Sequence, residues 1–239
     1  MTKKLVLLLG AFALIGCGEK SSSEGSESAS EKPATEPSAD TAKPPPADPP
    51  VAESPSEEPS ETPKSLSDAD VQRLLKEAVD FDSLEERDGL FYQNNEPYSG
   101  WAKNMYDSGQ VQELGQAKDG KPDGLMTEWH ENGQKWREET FKDGKPEGLR
   151  TGWYENGQKQ FETTFKDGKE DGIGTTWHKN GQKWAEGTNK DGKPDGLWTA
   201  WHENGQKAEE VTYKDGKELS EKYWNSKGEE VETFLESKK

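Results

Sequence analysis

DGKPDGLMTEWHENGQKWREETFK, residues 119–142, is followed without a gap by three more copies of itself. They are DGKPEGLRTGWYENGQKQFETTFK (143–166), DGKEDGIGTTWHKNGQKWAEGTNK (167–190) and DGKPDGLWTAWHENGQKAEEVTYK (191–214). Gly133, Gly157, Gly181 and Gly205 stand 24 apart, as do Trp129, Trp153, Trp177 and Trp201. A fixed period of this length marks a stacked array, in which each unit buries its apolar surface against its neighbours.

Two turn signals divide every unit. Asn132-Gly133 and Asp143-Gly144 each separate alternating runs, and both dipeptides favour two-residue hairpin turns, where both central residues need positive φ. Gly124, Gly148, Gly172 and Gly196 precede each outgoing strand and predict a bulge or a close backbone approach there. Each unit therefore reads as two antiparallel strands, and the whole as an elongated, single-layer, all-β antiparallel meander of β-hairpins. A two-residue turn at Asn132-Gly133 sets Trp129 against Trp136, Thr127 against Glu138 and Leu125 against Thr140. The same count sets Trp177 against Trp184, Trp153 against Gln160 and Trp201 against Ala208. One face then repeats Leu/Ile, Thr, Trp, Glu and Thr, while the other varies: Met126, Arg150, Gly174 and Trp198 at one place, Arg137, Phe161, Ala185 and Glu209 at another. A bulge at the Lys-Pro-Asp/Glu-Gly loop would exchange these faces for part of each unit.

The array is worn at both ends, as terminal units facing water should be. Gly100, Met105 and Gly109 lie 24 before Gly124, Trp129 and Gly133, and a last copy carrying Trp224 and Gly228 is one residue short in its first turn. Asp88-Gly89 predicts a further hairpin over 83–93. Ahead of it, residues 66–82 predict a helix. Ser67 caps, Asp68 and Asp70 occupy the positive first turn, and Val71, Leu74, Leu75, Ala78 and Val79 form one apolar stripe. An amphipathic helix this short is marginal in water, so it is expected to dock on the first strands and cap the array.

Upstream the composition changes. Residues 18–65 contain ten of the fourteen prolines, eleven acids, four lysines and no aromatic residue, the pattern of a disordered, extended acidic linker. Residues 1–17 read as a signal peptide, with Lys3 and Lys4 before an apolar run over 5–15 that is too short to span a bilayer. Leu14-Ile15-Gly16-Cys17 resembles the bacterial lipobox, whose resemblance implies cleavage before Cys17 and its lipidation. Cys17 is the one cysteine in the chain, which fits that fate. The expected address is an exported protein lipid-anchored to a bacterial membrane, the outer membrane being favoured because Gly18, not Asp, follows the cysteine. The division expected is thus 1–17 signal peptide, 18–65 linker, 66–82 helix and 83–239 repeat module.

Gly196 to Lys207, with Tyr213 to Lys217, is similar to MORN-type repeats in the bacterial variant built on a Tyr/His-Glu-Asn-Gly-Gln-Lys turn and an aromatic-Lys-Asp-Gly-Lys turn. The resemblance covers about 90–235; His130, His178 and His202 replace the usual Tyr, and Asn189 an aromatic. It implies an elongated sheet used for contacts with proteins or membranes, not for catalysis, and a kinship with antitoxin-like proteins that neutralise a secreted toxin.

Candidate chemistry follows from the columns. Trp129, Trp153, Trp177 and Trp201, with Gly133, Gly157, Gly181 and Gly205, read first as scaffold, and the tryptophans alternatively as a stacking platform for glycan or peptidoglycan. Met126, Phe161 and Trp198, with Trp136 and Trp184, are the candidate contacts to a protein partner. Glu138, Glu162, Glu186 and Glu210 recur at about 10 Å across two strands, too far apart to share a metal or work as an acid–base pair. The three histidines are one to a unit, without metal-ligand spacing, so neither metal nor cofactor nor enzymatic activity is expected. Residues 66–239 hold 25 basic and 37 acidic side chains, which disfavours nucleic acid.

Overall fold

The computed structural model describes residues 65–238. The signal peptide with Cys17, and all but the last residue of the linker, lie outside the described residues. Helix α1 (Asp68–Glu77) opens the described fold. Ser67 caps it in a reciprocal box with Asp70: the Asp70 N–H donates to the Ser67 hydroxyl, and the Asp70 carboxylate accepts from the Ser67 N–H. The helix ends five residues short of the expected 66–82. Ala78 turns to extended backbone so that β1 (Val79–Asp80) can pair in parallel with Ala102 and Lys103 of the main sheet. A single turn of 3₁₀ helix (Phe81–Ser83) leads into a small sheet of β2 (Glu85–Arg87), β3 (Leu90–Gln93) and β4 (Glu96–Pro97). Asp88 and Gly89 both have positive φ, so the hairpin expected at Asp88-Gly89 is present.

The main sheet has fifteen strands: β1, then β5 (Gly100–Met105), β6 (Val111–Lys118), β7 (Lys121–Trp129), β8 (Lys135–Lys142), β9 (Lys145–Pro146), β10 (Gly148–Trp153) and β11 (Lys159–Lys166). It continues through β12 (Lys169–Trp177), β13 (Lys183–Lys190), β14 (Lys193–Pro194), β15 (Gly196–Trp201), β16 (Lys207–Lys214), β17 (Lys217–Trp224) and β18 (Glu230–Val231). From β5 onward the strands follow chain order across the sheet, with β9 and β10 both paired to β8 and β14 and β15 both paired to β13, and every pairing but that of β1 is antiparallel. This is the single-layer meander of hairpins. A short helix α2 (Phe234–Ser237) closes the described chain.

The two turns of each unit differ. Asp143 and Gly144 have φ of 50° and 84°, as a mirror-image two-residue turn requires, and aspartate tolerates the left-handed position. At Asn132-Gly133 only the glycine is left-handed. The Gly133 N–H donates to the His130 carbonyl and the His130 N–H to that of Gln134, a three-residue loop with a bulge. The Asn132 side chain instead accepts from the Gln134 N–H, an Asx turn that holds the asparagine at negative φ. The expected two-residue turn is therefore corrected, and with it the pairing next to it. Leu125↔Thr140 and Thr127↔Glu138 stand, but Trp129 opposes Lys135, leaving Trp136 as the extra residue of the bulge. Trp153, Trp177 and Trp201 likewise oppose Lys159, Lys183 and Lys207.

The Lys-Pro-Asp/Glu-Gly loop bulges without exchanging the faces. From Phe165↔Glu170 to Thr163↔Gly174 one strand advances four residues and its partner two. An even excess preserves the alternation. Only the last copy departs: Tyr213↔Glu218 is followed by Thr212↔Ser220, with Leu219 as the single extra residue.

Candidate functional site

Three kinds of position make up the surface: the two rims where turns stack, a repeating face and a variable face. The rims are tied unit to unit. Asn132, Asn156, Asn180 and Asn204 each donate from Nδ2 to a carbonyl of the next turn, at 2.7–3.2 Å. On the opposite rim Asp123, Glu147, Asp171 and Asp195 accept from the N–H of the aspartate that opens the next turn. The histidine position is a third tie. Nε2 of His130, His178 and His202 lies 3.1, 3.0 and 2.9 Å from the carbonyl of the next tryptophan, Trp153, Trp201 and Trp224. Since a carbonyl only accepts, each Nε2 carries the proton. Tyr154 donates its hydroxyl to the Trp177 carbonyl and Tyr106 to that of Trp129. The sequence places a His or Tyr at this position, but this role across the unit boundary was not legible in it.

On the repeating face, Lys135, Lys159, Lys183 and Lys207 pair with Glu138, Glu162, Glu186 and Glu210 three residues on. In a regular strand residues i and i+3 point to opposite faces, so the bulge is what makes these pairs. Each lysine also lies over the next unit's indole: Lys135 on Trp153, Lys159 on Trp177, Lys183 on Trp201 and Lys207 on Trp224, at 5.0–5.9 Å. Thr127 and Thr175 donate to Glu138 and Glu186. The tryptophan and glutamate columns are thus bound into a ladder within the sheet, with Trp153, Trp177 and Trp201 half-buried beneath lysines. Beside it Ile173 and Leu197 are 61% and 51% exposed.

The first units depart from the ladder where α1 lies. Val111 and Leu114 stand 24 residues before Lys135 and Glu138. They replace the ion pair with a dry seat for Val71, Leu74 and Ala78, together with Trp101 and Trp129. Lys103 donates to the Leu75 carbonyl at 2.8 Å and fixes the helix C-terminus.

The variable face packs by size. Phe161 lies over Gly152 and Trp198 over Gly187; a Cβ at either glycine would stand 2.2 or 2.1 Å from the ring. Trp198 also donates to the Thr188 carbonyl and meets the Tyr213 ring edge-on. Met126 is 4% exposed against Gly115 and belongs to the core, so it offers a partner no surface. Phe161 and Trp198 are half-buried. Trp136 and Trp184 are exposed, each beside its unit's histidine, with Arg137 over Trp136. The five candidate contacts do not converge on one pocket.

An ionic cluster fills this face at the first units. Arg137 bonds Glu128 at 2.5 Å, Arg150 bonds Glu139 at 2.5 Å, and Asn104 bonds Glu113 at 3.0 Å. Glu139 is 2% exposed; its Oε1 lacks a hydrogen-bond partner, the Arg137 guanidinium being 3.5 Å away. Burial, opposed by Arg137 and aided by Glu113, pushes the Glu128 carboxyl up to about 7. Burial raises Glu113 as well. These charges lie inside the layer and serve packing between strands.

Fold and surface together define an all-β repeat protein whose repeating Asn, His/Tyr, Trp, Lys and Glu side chains are taken up by contacts within and between units. Residues 122–143, 146–167 and 194–215 each match the family model for the MORN repeat variant. Between the second and third matches, 170–191 carries Glu170 and Asn189, which bond each other at 2.8 Å where the other units have proline and an aromatic residue. No curated protein matches the chain.

Proposed function

We propose that this chain is a membrane-anchored envelope lipoprotein whose β-repeat module is a non-catalytic platform for binding another protein. One observation carries the reading. Asn, His/Tyr, Trp and Lys at repeating positions are used in ties between units, and Glu is used in a pair with that lysine within its own unit. What is left for recognition is the exposed Ile173 and Leu197 beside that ladder and the exposed side chains that do not repeat, Trp136 and Trp184. MORN repeats of this variant serve as modules for protein or membrane interaction, which agrees with that division of labour. The anchor rests on the lipobox-like Leu14-Ile15-Gly16-Cys17.

The test is a pull-down from detergent-solubilised host envelope with the full chain as bait, beside metabolic labelling with a fatty acid. Label on the native chain but not on Cys17→Ala supports the anchor, and label on both overturns it. A stoichiometric protein prey lost on Trp136→Ala/Trp184→Ala supports the platform. A toxin as that prey would make this an immunity protein. Capture of wall glycan with no protein prey overturns the reading in favour of glycan binding.

A further inference from the structure

The sheet does not end as its repeats do. β15 pairs with β16 along Gly196–Trp201, whereas the equivalent strand β17 is paired on its outer side only at Tyr223 and Trp224, by the two residues of β18. Residues 217, 218 and 220–222 are paired on their inner side to β16, with Leu219 as the bulged residue, and 217–222 are exposed throughout. The outer side of 219–222 therefore offers backbone donors and acceptors, from alternate residues, to a strand that the described residues do not supply.

The variable face shows what that strand should carry. At the first units, glutamates of this face are matched by arginines from neighbouring strands: Glu128 by Arg137, Glu139 by Arg150. At the open edge, register places Glu209 opposite Tyr223 and Val211 opposite Glu221, with Glu218 opposite Tyr213. Among the described residues no cation lies within ion-pair distance of Glu209, Glu218 or Glu221. Burial, then Glu221 and Glu218, push the Glu209 carboxyl above its usual range, as an acid lacking its counter-ion should behave. A second copy does not answer this need. Antiparallel self-pairing that used all of 217–222 would set Lys217 against Lys222 and Glu218 against Glu221.

We propose that the open edge of β17 docks an extended segment of a basic partner protein, which pairs with residues 219–222 and sets arginine or lysine over Glu209 and Glu221. The inference rests on the protein-binding reading above and adds where, and by what chemistry, the partner is held.

Labelled hexapeptides test it by fluorescence anisotropy with the full chain: alternating arginine–threonine, alternating glutamate–threonine, and the arginine peptide N-methylated at alternate residues. The arginine peptide should bind at least about tenfold tighter than the glutamate peptide. N-methylation, which removes the ladder donors on one edge, should abolish binding. Glu218→Lys/Glu221→Lys should reverse the charge preference; both positions are exposed, so the fold is kept, as far-UV circular dichroism would verify. Absence of binding, equal binding of the two peptides, or undiminished binding after N-methylation overturns the proposal. A pulled-down partner indifferent to Glu218→Lys/Glu221→Lys would leave the platform standing and remove the edge from it.

Discussion

At the scale of the residue, the histidine beside each Asn-Gly turn is a proton donor to the next unit. It has the geometry that Tyr154 and Tyr106 achieve with a hydroxyl. His178→Phe should therefore lower unfolding free energy by about 1 kcal/mol in urea, the net worth of one hydrogen bond. His178→Tyr should stay within about 0.5 kcal/mol of the parent chain. Equal losses in both variants would show that ring packing, not the bond to the Trp201 carbonyl, holds the units together. Glu128 makes a second residue-scale prediction. Its carboxyl titrates near 4.5 when free and near 7 in the fold, so the folded state holds the proton more tightly. The stability it contributes is fully present below pH 4.5 and is lost as pH rises through about 7. Glu113, Glu170 and Glu209 are raised too and act in the same direction. The urea midpoint should fall between about pH 5 and about pH 8, and fall less in Glu128→Gln, which is neutral throughout. A profile rising over that range would show that the Arg137 pairing outweighs burial.

At the scale of the element, α1 has its seat because two residues break the repeat. Val111 and Leu114 stand where the array elsewhere writes lysine and glutamate, and Leu114 is fully buried beneath the helix stripe. Restoring the repeat with Val111→Lys/Leu114→Glu should evict α1 and leave the hairpins intact. Acrylamide should then quench Trp129, now 7% exposed, and the far-UV helical signal should drop while the sheet signal persists. Retained protection of Trp129 would count against the seat. Elements of this kind were legible where chemistry is local. The Ser67–Asp70 box, the apolar stripe and the Asp-Gly hairpins follow from spacing alone. The Asn-Gly loop was not, because Asn-Gly serves two turn geometries. The choice is made by the Asn132 side chain, which reaches the Gln134 N–H on one side and the Glu155 carbonyl of the next unit on the other. From that loop come the bulge, the Lys–Glu pairs and the displacement of Trp136 from Trp129. The surface was less legible still. A varying column looks like a binding face in sequence, yet Met126, Phe161 and Trp198 vary in concert with Gly115, Gly152 and Gly187 across the strand boundary, a matter of packing.

At the scale of the whole repeat module, an array whose units touch only their neighbours should tolerate loss of a unit if the faces newly brought together fit. Removing 167–190 joins Lys166 to Asp191 and restores every turn, because Asp191 follows Lys190 as Asp167 follows Lys166. It also slides β11 into the place of β13, so that Thr163 stands where Gly187 now lies beneath Trp198. A Cβ at that site falls 2.1 Å from the indole, and threonine brings two further heavy atoms. The deletion alone should unfold at a lower temperature than the parent by more than the loss of one unit explains, since an overfilled contact costs about 1–3 kcal/mol. Adding Thr163→Gly to the deletion should return most of that difference. The same substitution in the intact chain, where Thr163 faces Gly174 and no indole covers it, should only destabilise, because it loses a β-branched residue from a strand. Opposite signs of one substitution in the two backgrounds would mean that large and small side chains on the variable face are matched between neighbouring units. The same sign in both would mean that each unit packs independently, and the variation among Met126, Phe161 and Trp198 would return to being a question of binding.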